Sequence, residues 1–211
     1  VMPLAGGVVP PARQAETMSR LEAAIATQGG HLDVGLTANY FMTKLFTERR
    51  RNDLMLTLTN RSTFPSYGYF LAQGYTSWPE HWDVKECCAD KVSKMHGCYN
   101  AVGMWFIEGL AGIAVDFSRG ATARHGNDDT GPDDDYAVIQ IQAGVDAGEL
   151  MWASGSLAVP QGSVHSSWAV GAARFSHNVT IPGNAAARVL IPATSAADVL
   201  EDGKPLPADV K

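Results

Sequence analysis

Apolar residues recur with a helical period through the first half of the chain and with a period of two through the second. This change of rhythm sets the expected architecture. From Pro11 to Gln28, Met18, Leu21 and Ile25 form one stripe among alanines and charges, opened by Pro10-Pro11 and closed by Gly29-Gly30, which predicts an amphipathic helix. Leu36, Tyr40, Phe41, Leu45 and Phe46 predict a second helix that ends in the basic run Glu48-Arg-Arg-Arg51. A third runs from Leu54 to about Thr59, with Asn52 or Asp53 as its N-cap. A short fourth, Ser66 to Gln73, is bounded by Pro65 and Gly74. The segment Trp78 to Asn100 has no periodicity and reads as a long irregular loop, of a length that in compact domains usually serves function. A last helix, Ala101 to Ile113, is apolar on most faces and is expected to be deeply buried, with Glu108 partnered or at its rim.

At residues 115–135 the character changes to a polar, turn-rich stretch that includes His125-Gly-Asn-Asp-Asp-Thr-Gly-Pro-Asp-Asp-Asp135. We place the domain boundary there: residues 1–120 helical, 121–135 linker, 136–211 strands. The acidic cluster offers oxygen ligands of the kind calcium takes, but it lacks the spacing of an EF-hand loop, and a solvated linker is the simpler reading. Beyond it, Tyr136–Gln142, Leu150–Ala158, Gly162–Val170, Arg174–Ile181 and Ala186–Ile191 alternate as five strands joined by Gly- or Pro-bearing turns. A further edge strand is expected around Asp202-Gly203. Strands of this number and spacing predict an all-β module, a small antiparallel sandwich, so the fold class is α followed by β.

Composition narrows the partners. With 16 Lys+Arg against 22 Asp+Glu the formal net charge is -6, which argues against nucleic acid or an anionic membrane and leaves neutral small partners open. No apolar run reaches the roughly 20 residues that span a bilayer. The opening Val1-Met-Pro-Leu-Ala-Gly-Gly7 reads as the tail of a helix. Cys87, Cys88 and Cys98 allow one bridge within 87–98 and one free thiol. A zinc site built from these cysteines with His81 and His96 is disfavoured, since adjacent cysteines poorly share one tetrahedral ion and no C-x₂₋₄-C pair is present; no metal and no cofactor is expected. The triplets Asn60-Arg-Ser62 and Asn178-Val-Thr180 are compatible with a secreted, extracellular or vacuolar protein.

The densest chemistry lies between Phe64 and Asp83. Tyr67, Tyr69, Trp78 and Trp82 offer flat apolar faces, and Glu80 and His81 offer acid–base groups, a combination that suits a sugar with its CH faces and hydroxyls. The same residue types also suit a packed core with a solvated carboxylate.

The order of these motifs carries a resemblance. A helix, Gly29-Gly-His-Leu-Asp-Val-Gly-Leu-Thr37, another helix, the turn Phe64-Pro-Ser-Tyr-Gly-Tyr69, Trp78-Pro-Glu-His-Trp-Asp83, a His-containing loop, Trp105-Phe-Ile-Glu-Gly-Leu-Ala-Gly-Ile113 and a β module ending Asp202-Gly-Lys-Pro-Leu206 follow in sequence. This resembles the C-terminal part of the α-L-rhamnosidases of glycoside hydrolase family 78, over nearly the whole chain. The resemblance implies the last helices of an (α/α)₆ barrel followed by a β-sandwich. So few helices cannot close a toroid, which implies a fragment or processed subunit completed by a second polypeptide. It further implies inverting hydrolysis of terminal α-L-rhamnose, with Glu80 as general base and the general acid on the completing chain. Trp78, Trp82, Tyr67 and His96 would bind the sugar, one of the two tryptophans facing it and the other packing the loop. His31 and Asp33 lie in a loop at the barrel's end, Asp33 capping the following helix.

Pro79 before Glu80, the Cys87-Cys88 pair and Gly97-Cys-Tyr-Asn100 depart from the family's usual pattern and bear on substrate preference. Two rival functions follow. One is a related α/α-toroid lyase acting on rhamnosyl–glucuronate linkages, with His96 or Tyr99 as base or acid. The other is a non-catalytic carbohydrate-binding subunit.

Overall fold

The computed structural model describes residues 1–83, 91–116 and 138–207. Cys87 and Cys88, the linker 121–135 and its acidic cluster lie outside the described residues, as does the side chain of Cys98. Two compact units emerge, Val1–Leu110 with Gly144–Leu150, and Ala111–Ala143 with Met151–Lys211.

The first unit is helical: α1 (Met2–Ala5), α2 (Pro11–Thr27), α3 (Leu36–Glu48), α4 (Asn52–Thr59) and α5 (Tyr67–Ala72), then a last helical run. Helix α2 starts on Pro11, whose missing N–H costs nothing at a first-turn position, and buries Met18 and Ile25. It stops where Gly29 turns left-handed at φ 67° and the Gly30 N–H reaches back to Ile25 O at 2.9 Å. Helix α3 ends the same way without a glycine: Arg50 takes φ 57° and the Arg51 N–H bonds Phe46 O at 2.8 Å. Arg51 then folds back onto Glu22 of α2 and onto Asp53, which pairs its charge locally. Met42, Leu45 and Phe46 of α3 with Met55 and Leu58 of α4 are buried core residues of this unit.

The last helical run departs from the expected single helix. It begins as a 3₁₀ turn (Gly97–Ala101), passes through one α segment (Val102–Met104) and continues as a π-helix (Trp105–Ala111). The π geometry displaces backbone carbonyls from regular partners, and Gly109 O takes its hydrogen bond from the buried Asn52 amide at 3.1 Å. Gly109 itself is required by packing, because a Cβ there would sit 2.3 Å from Trp105 Cδ1. Burial along the run is uneven: Val102, Trp105 and Leu110 are buried, whereas Phe106 is 49% exposed. Glu108 is half-buried, and that burial holds its carboxyl above the usual range against the opposing pull of Lys44.

Asn52 is the clearest correction to the predicted caps. Arg51 precedes α4 as its N-cap residue with no side-chain cap, and Asn52 lies inside the helix, fully buried. Asp33 likewise does not cap α3, which starts from Gly35 with no side-chain cap. Ser66 does cap α5, accepting the Tyr69 N–H at 3.0 Å.

Among the described residues the second unit holds two three-stranded sheets and a hairpin. β1 (Ile113–Asp116), β2 (Val138–Gln142) and β6 (Ala187–Leu190) form one sheet in the order β1-β2-β6. β3 (Trp152–Val159), β4 (Gly162–Val170) and β5 (Phe175–Thr180) form the other, and β7 (Leu200–Glu201) pairs β8 (Lys204–Pro205) around the left-handed pair Asp202-Gly203. β1 is not among the expected strands: the sequence pattern gives its first residue, Ile113, to the end of the last helix and Val115 to the start of the polar stretch. Instead Gly112 at φ 80° breaks the helical run and β-branched Ile113 and Val115 enter an antiparallel pair with β2. The sheets are also not wholly antiparallel, because β2 and β6 pair in parallel across the intervening β3–β5 excursion. Ile113, Ile139 and Ile141 from one sheet and Val164 and Trp168 from the other are buried.

One buried polar triad in this unit has a testable consequence. Ser166 Oγ donates to Ala111 O at 2.6 Å, so the 2.8 Å bond between Ser166 and His177 must be donated by His177 Nε2–H. That tautomer leaves Nδ1 as a lone-pair acceptor, and it is buried with no hydrogen-bond partner among the described residues. Burial lowers the His177 pKa, since protonation would create a second buried N–H with no acceptor. The unfolded chain takes its proton near the ordinary value of about 6.5, so this contribution to stability is full above that pH and is lost as pH falls toward the depressed folded value. Thermal melts of wild type and His177→Gln across pH 7.5 to 4.5 should diverge, the wild type losing melting temperature more steeply below about 6.5. Parallel curves would refute the assignment.

Candidate active site

The stretch after α5 is held by a short two-strand lacing. The Glu80 N–H donates to Ser93 O at 2.9 Å, the His96 N–H donates to Trp78 O at 2.7 Å, and Ser77 Oγ donates to Lys94 O at 2.7 Å. A fourth bond involves the carboxylate itself: the Ser93 N–H donates to Glu80 Oε2 at 3.2 Å. Glu80 is therefore fixed through both its backbone and one carboxylate oxygen while remaining partly exposed. His81 beside it is exposed, and His96 is partly exposed. Ser93 had no signal in the sequence, since a backbone donor carries no residue-type signature.

Beneath this lacing lies an aromatic cluster. Trp82 stacks on Phe70 with centroids 5.2 Å apart and planes 14° from parallel, and it lies 4.3 Å from the Tyr99 ring. Its indole Nε1–H donates to Val34 O at 2.8 Å, tying it to the loop before α3. Tyr67 meets Trp78 edge-on at 4.9 Å and Trp82 edge-on at 5.5 Å. Its hydroxyl donates to Tyr99 O at 2.8 Å and accepts from Asn39 Nδ2 at 3.2 Å. Burial pushes the Tyr67 phenol well above its ordinary pKa.

These positions separate the predicted sugar-binding residues into two groups. Tyr67 and Trp82 are only 6% and 8% exposed, and their polar atoms are committed to protein partners, so the chain holds them in the core rather than on a surface. Trp78, Glu80 and His96 lie on the lacing and stay partly open. His31 is structural: its Nε2 bonds Thr63 Oγ1 at 2.7 Å and its Nδ1 bonds Gln28 O at 2.9 Å, joining the end of α2 to the turn before α5. Among the described residues no group of three or more His, Cys, Asp or Glu side chains could hold a metal ion, and no helix is long and apolar enough to cross a membrane.

Comparison with known proteins gives the family. Residues 1–110 match the bacterial α-L-rhamnosidase six-hairpin glycosidase domain, and residues 136–204 match the bacterial α-L-rhamnosidase C-terminal domain. The chain belongs to the bacterial α-L-rhamnosidase family. An α-L-rhamnosidase of Streptomyces avermitilis is 28% identical over 198 residues, covering 92% of this chain and 18% of that protein. One from Alteromonas sp. (strain LOR) is 25% identical over 198 residues, covering 92% of this chain and 20% of its own length. The crystal structure of the Streptomyces avermitilis α-L-rhamnosidase complexed with L-rhamnose matches with a TM-score of 0.74 at 25% identity, over 95% of this chain and 19% of that one. The Aspergillus terreus α-L-rhamnosidase, at 22% identity and a TM-score of 0.73, shares the fold. The chain thus spans about a fifth of the length of the rhamnosidases it matches.

Proposed function

We propose that this chain supplies the general base of an inverting α-L-rhamnosidase, Glu80, within an (α/α)₆ barrel whose remaining helices and general acid come from polypeptide outside it. The observation that carries the reading is the carboxylate's setting. One oxygen is held by the Ser93 N–H, the other has no hydrogen-bond partner among the described residues, and the side chain is open to solvent. A base that activates water needs such an arrangement: a fixed position, a free lone pair and an approach for the water. Inversion requires the acid to lie roughly 6.5–9.5 Å away across the sugar, leaving room for that water.

In this mechanism a terminal α-L-rhamnosyl unit sits above the lacing, with Trp78 offering an apolar face to the ring and His96 hydrogen-bonding a hydroxyl. Glu80 takes one proton from the water as its oxygen attacks C1. The C1–O bond to the aglycone breaks, and the leaving oxygen takes a proton from the acid. Tyr67 and Trp82 act from beneath, as the packed base on which Trp78 and the lacing rest. The burial of Tyr99, 1% exposed, weighs against its serving as acid or base in a lyase.

The stereochemistry of the first-formed product tests this. Proton NMR of an aryl α-L-rhamnoside digested by the whole native protein should show β-L-rhamnose appearing first and mutarotating later. Initial release of the α anomer would sink inversion, and no cleavage of the aryl rhamnoside together with an ultraviolet-absorbing unsaturated uronate product from a rhamnosyl–glucuronate polysaccharide would indicate elimination instead.

A further inference from the structure

The outward face of the β3–β4–β5 sheet is unusual for a solvated surface. The three strands span 8, 9 and 6 residues and contain no Asp, Glu, Lys or Arg, although such residues make up 18% of the chain. Strand alternation puts hydroxyl, amide and imidazole groups on the exposed side, and the register sets them in rows. Ser154, Ser167 and Asn178 form one row and Ser156, His165 and Thr180 the next, all exposed. Adjacent strands place neighbours about 4.8 Å apart, and successive rows are about 7 Å apart along the strands. Trp152 stands at the corner of this array, 67% exposed, on the same side of β3 as Ser154 and Ser156. Among the described residues none of the six row side chains hydrogen-bonds another protein group, so their donors and acceptors face outward.

We propose that this face is a carbohydrate-binding surface for a neutral, hydroxyl-rich oligosaccharide, with Trp152 stacking on one sugar ring and the Ser–Asn–Thr rows hydrogen-bonding the next. Charge decides against the alternatives first. Within the three strands an anionic ligand would meet no Lys or Arg, the exposed Arg174 lying just before β5, and a cationic one would meet no carboxylate. Composition weighs against a protein partner, because apart from Trp152 this face is built of Ser, Ala, Asn, Thr and His, whereas interface cores are depleted in Ser and Ala. Desolvation favours a sugar: stripping water from hydroxyls and amides is cheap if each is re-paired, and a sugar's hydroxyls can re-pair them, whereas charged side chains would cost far more. A flat indole supplies the apolar contact a pyranose CH face needs. The choice of probe below rests on the glycosidase reading; the residues of the face do not.

The test uses the whole native protein in native gels with and without a soluble neutral rhamnan. The polysaccharide should slow the wild type, and Trp152→Ala and Ser167→Glu should each weaken the apparent affinity at least tenfold with an unchanged melting temperature. Trp78→Ala, at the Glu80 site, should leave most of the retardation in place. A wild type that rhamnan does not retard would overturn the proposal, as would equal retardation of Trp152→Ala. Retardation lost in Trp78→Ala but kept in Trp152→Ala would place all binding at the Glu80 site, removing this surface while leaving the rhamnosidase reading intact. Sedimentation showing that Ser167→Glu dissolves a dimer, with no glycan bound by either form, would make the face a contact between copies and equally overturn it.

Discussion

Glu80→Gln in the whole protein is expected to lower kcat for an aryl α-L-rhamnoside by roughly 10²–10⁴, with KM changed little. Glutamine keeps the size of the side chain, and its amide oxygen can still accept the Ser93 N–H that now meets Glu80 Oε2. What it lacks is the ability to take a proton, so the loss falls on the chemical step rather than on binding. A merely structural role for Glu80 would behave differently: the conservative change would be mild and would move melting temperature and KM together. A second variant separates the two cases further. Glu80→Ala opens space beside C1, and added azide can attack there without needing a base. The aryloxy leaving group still takes its proton from the general acid. Recovery of turnover with azide and formation of the inverted rhamnosyl azide would tie Glu80 to activation of the attacking water. Unchanged kcat in Glu80→Gln would remove it from the mechanism.

Why Glu80 stands out in the sequence as a candidate, and its neighbours less so, follows from what kind of signal each residue carries. A carboxylate between two tryptophans stands out locally, and the motif order around it points to one family. Aromatic density is ambiguous, because rings that stack on sugar and rings that pack a core look alike in sequence. Tyr67 and Trp82 are core by burial, and only the partners of their polar atoms, Tyr99 O and Val34 O, reveal it. Strand β4, Gly162–Val170, matched its predicted bounds because the Pro160-Gln161 turn and strict alternation are local signals. The parallel partnership of β2 with β6 is non-local and left no mark. β1 was hidden for a third reason: the apolar run Leu110-Ala-Gly-Ile-Ala-Val115 fits helix or strand equally by periodicity.

Asn52 shows the same limit with the larger energetic consequence. At the start of α4 a polar residue reads as a cap, yet its side chain bridges segments 53 and 94 residues away. Its Oδ1 accepts the Trp105 indole N–H at 2.8 Å, while Nδ2 donates to Gly109 O at 3.1 Å and to Asp146 Oδ1 at 2.8 Å. The residue is 0% exposed, so Asn52→Ala would leave an indole N–H and a π-helix carbonyl buried without this partner. Each unsatisfied buried group costs about 1–3 kcal/mol, so a loss of roughly 3 kcal/mol or more in unfolding free energy is expected from denaturant titration. Asp146 retains Arg50 at 3.4 Å and adds less to that loss. Asn52→Asp discriminates between hydrogen bonding and packing. It keeps the shape and the acceptor for Trp105, but it loses the donor to Gly109 and sets a second carboxylate against Asp146. The aspartate variant should therefore be at least as destabilised as the alanine variant near neutral pH and should recover part of that loss as acid protonates the pair. Near-wild-type stability in Asn52→Ala would mean that water replaces the amide, and the π-helix would then owe its shape to the packing of Trp105 on Gly109 alone.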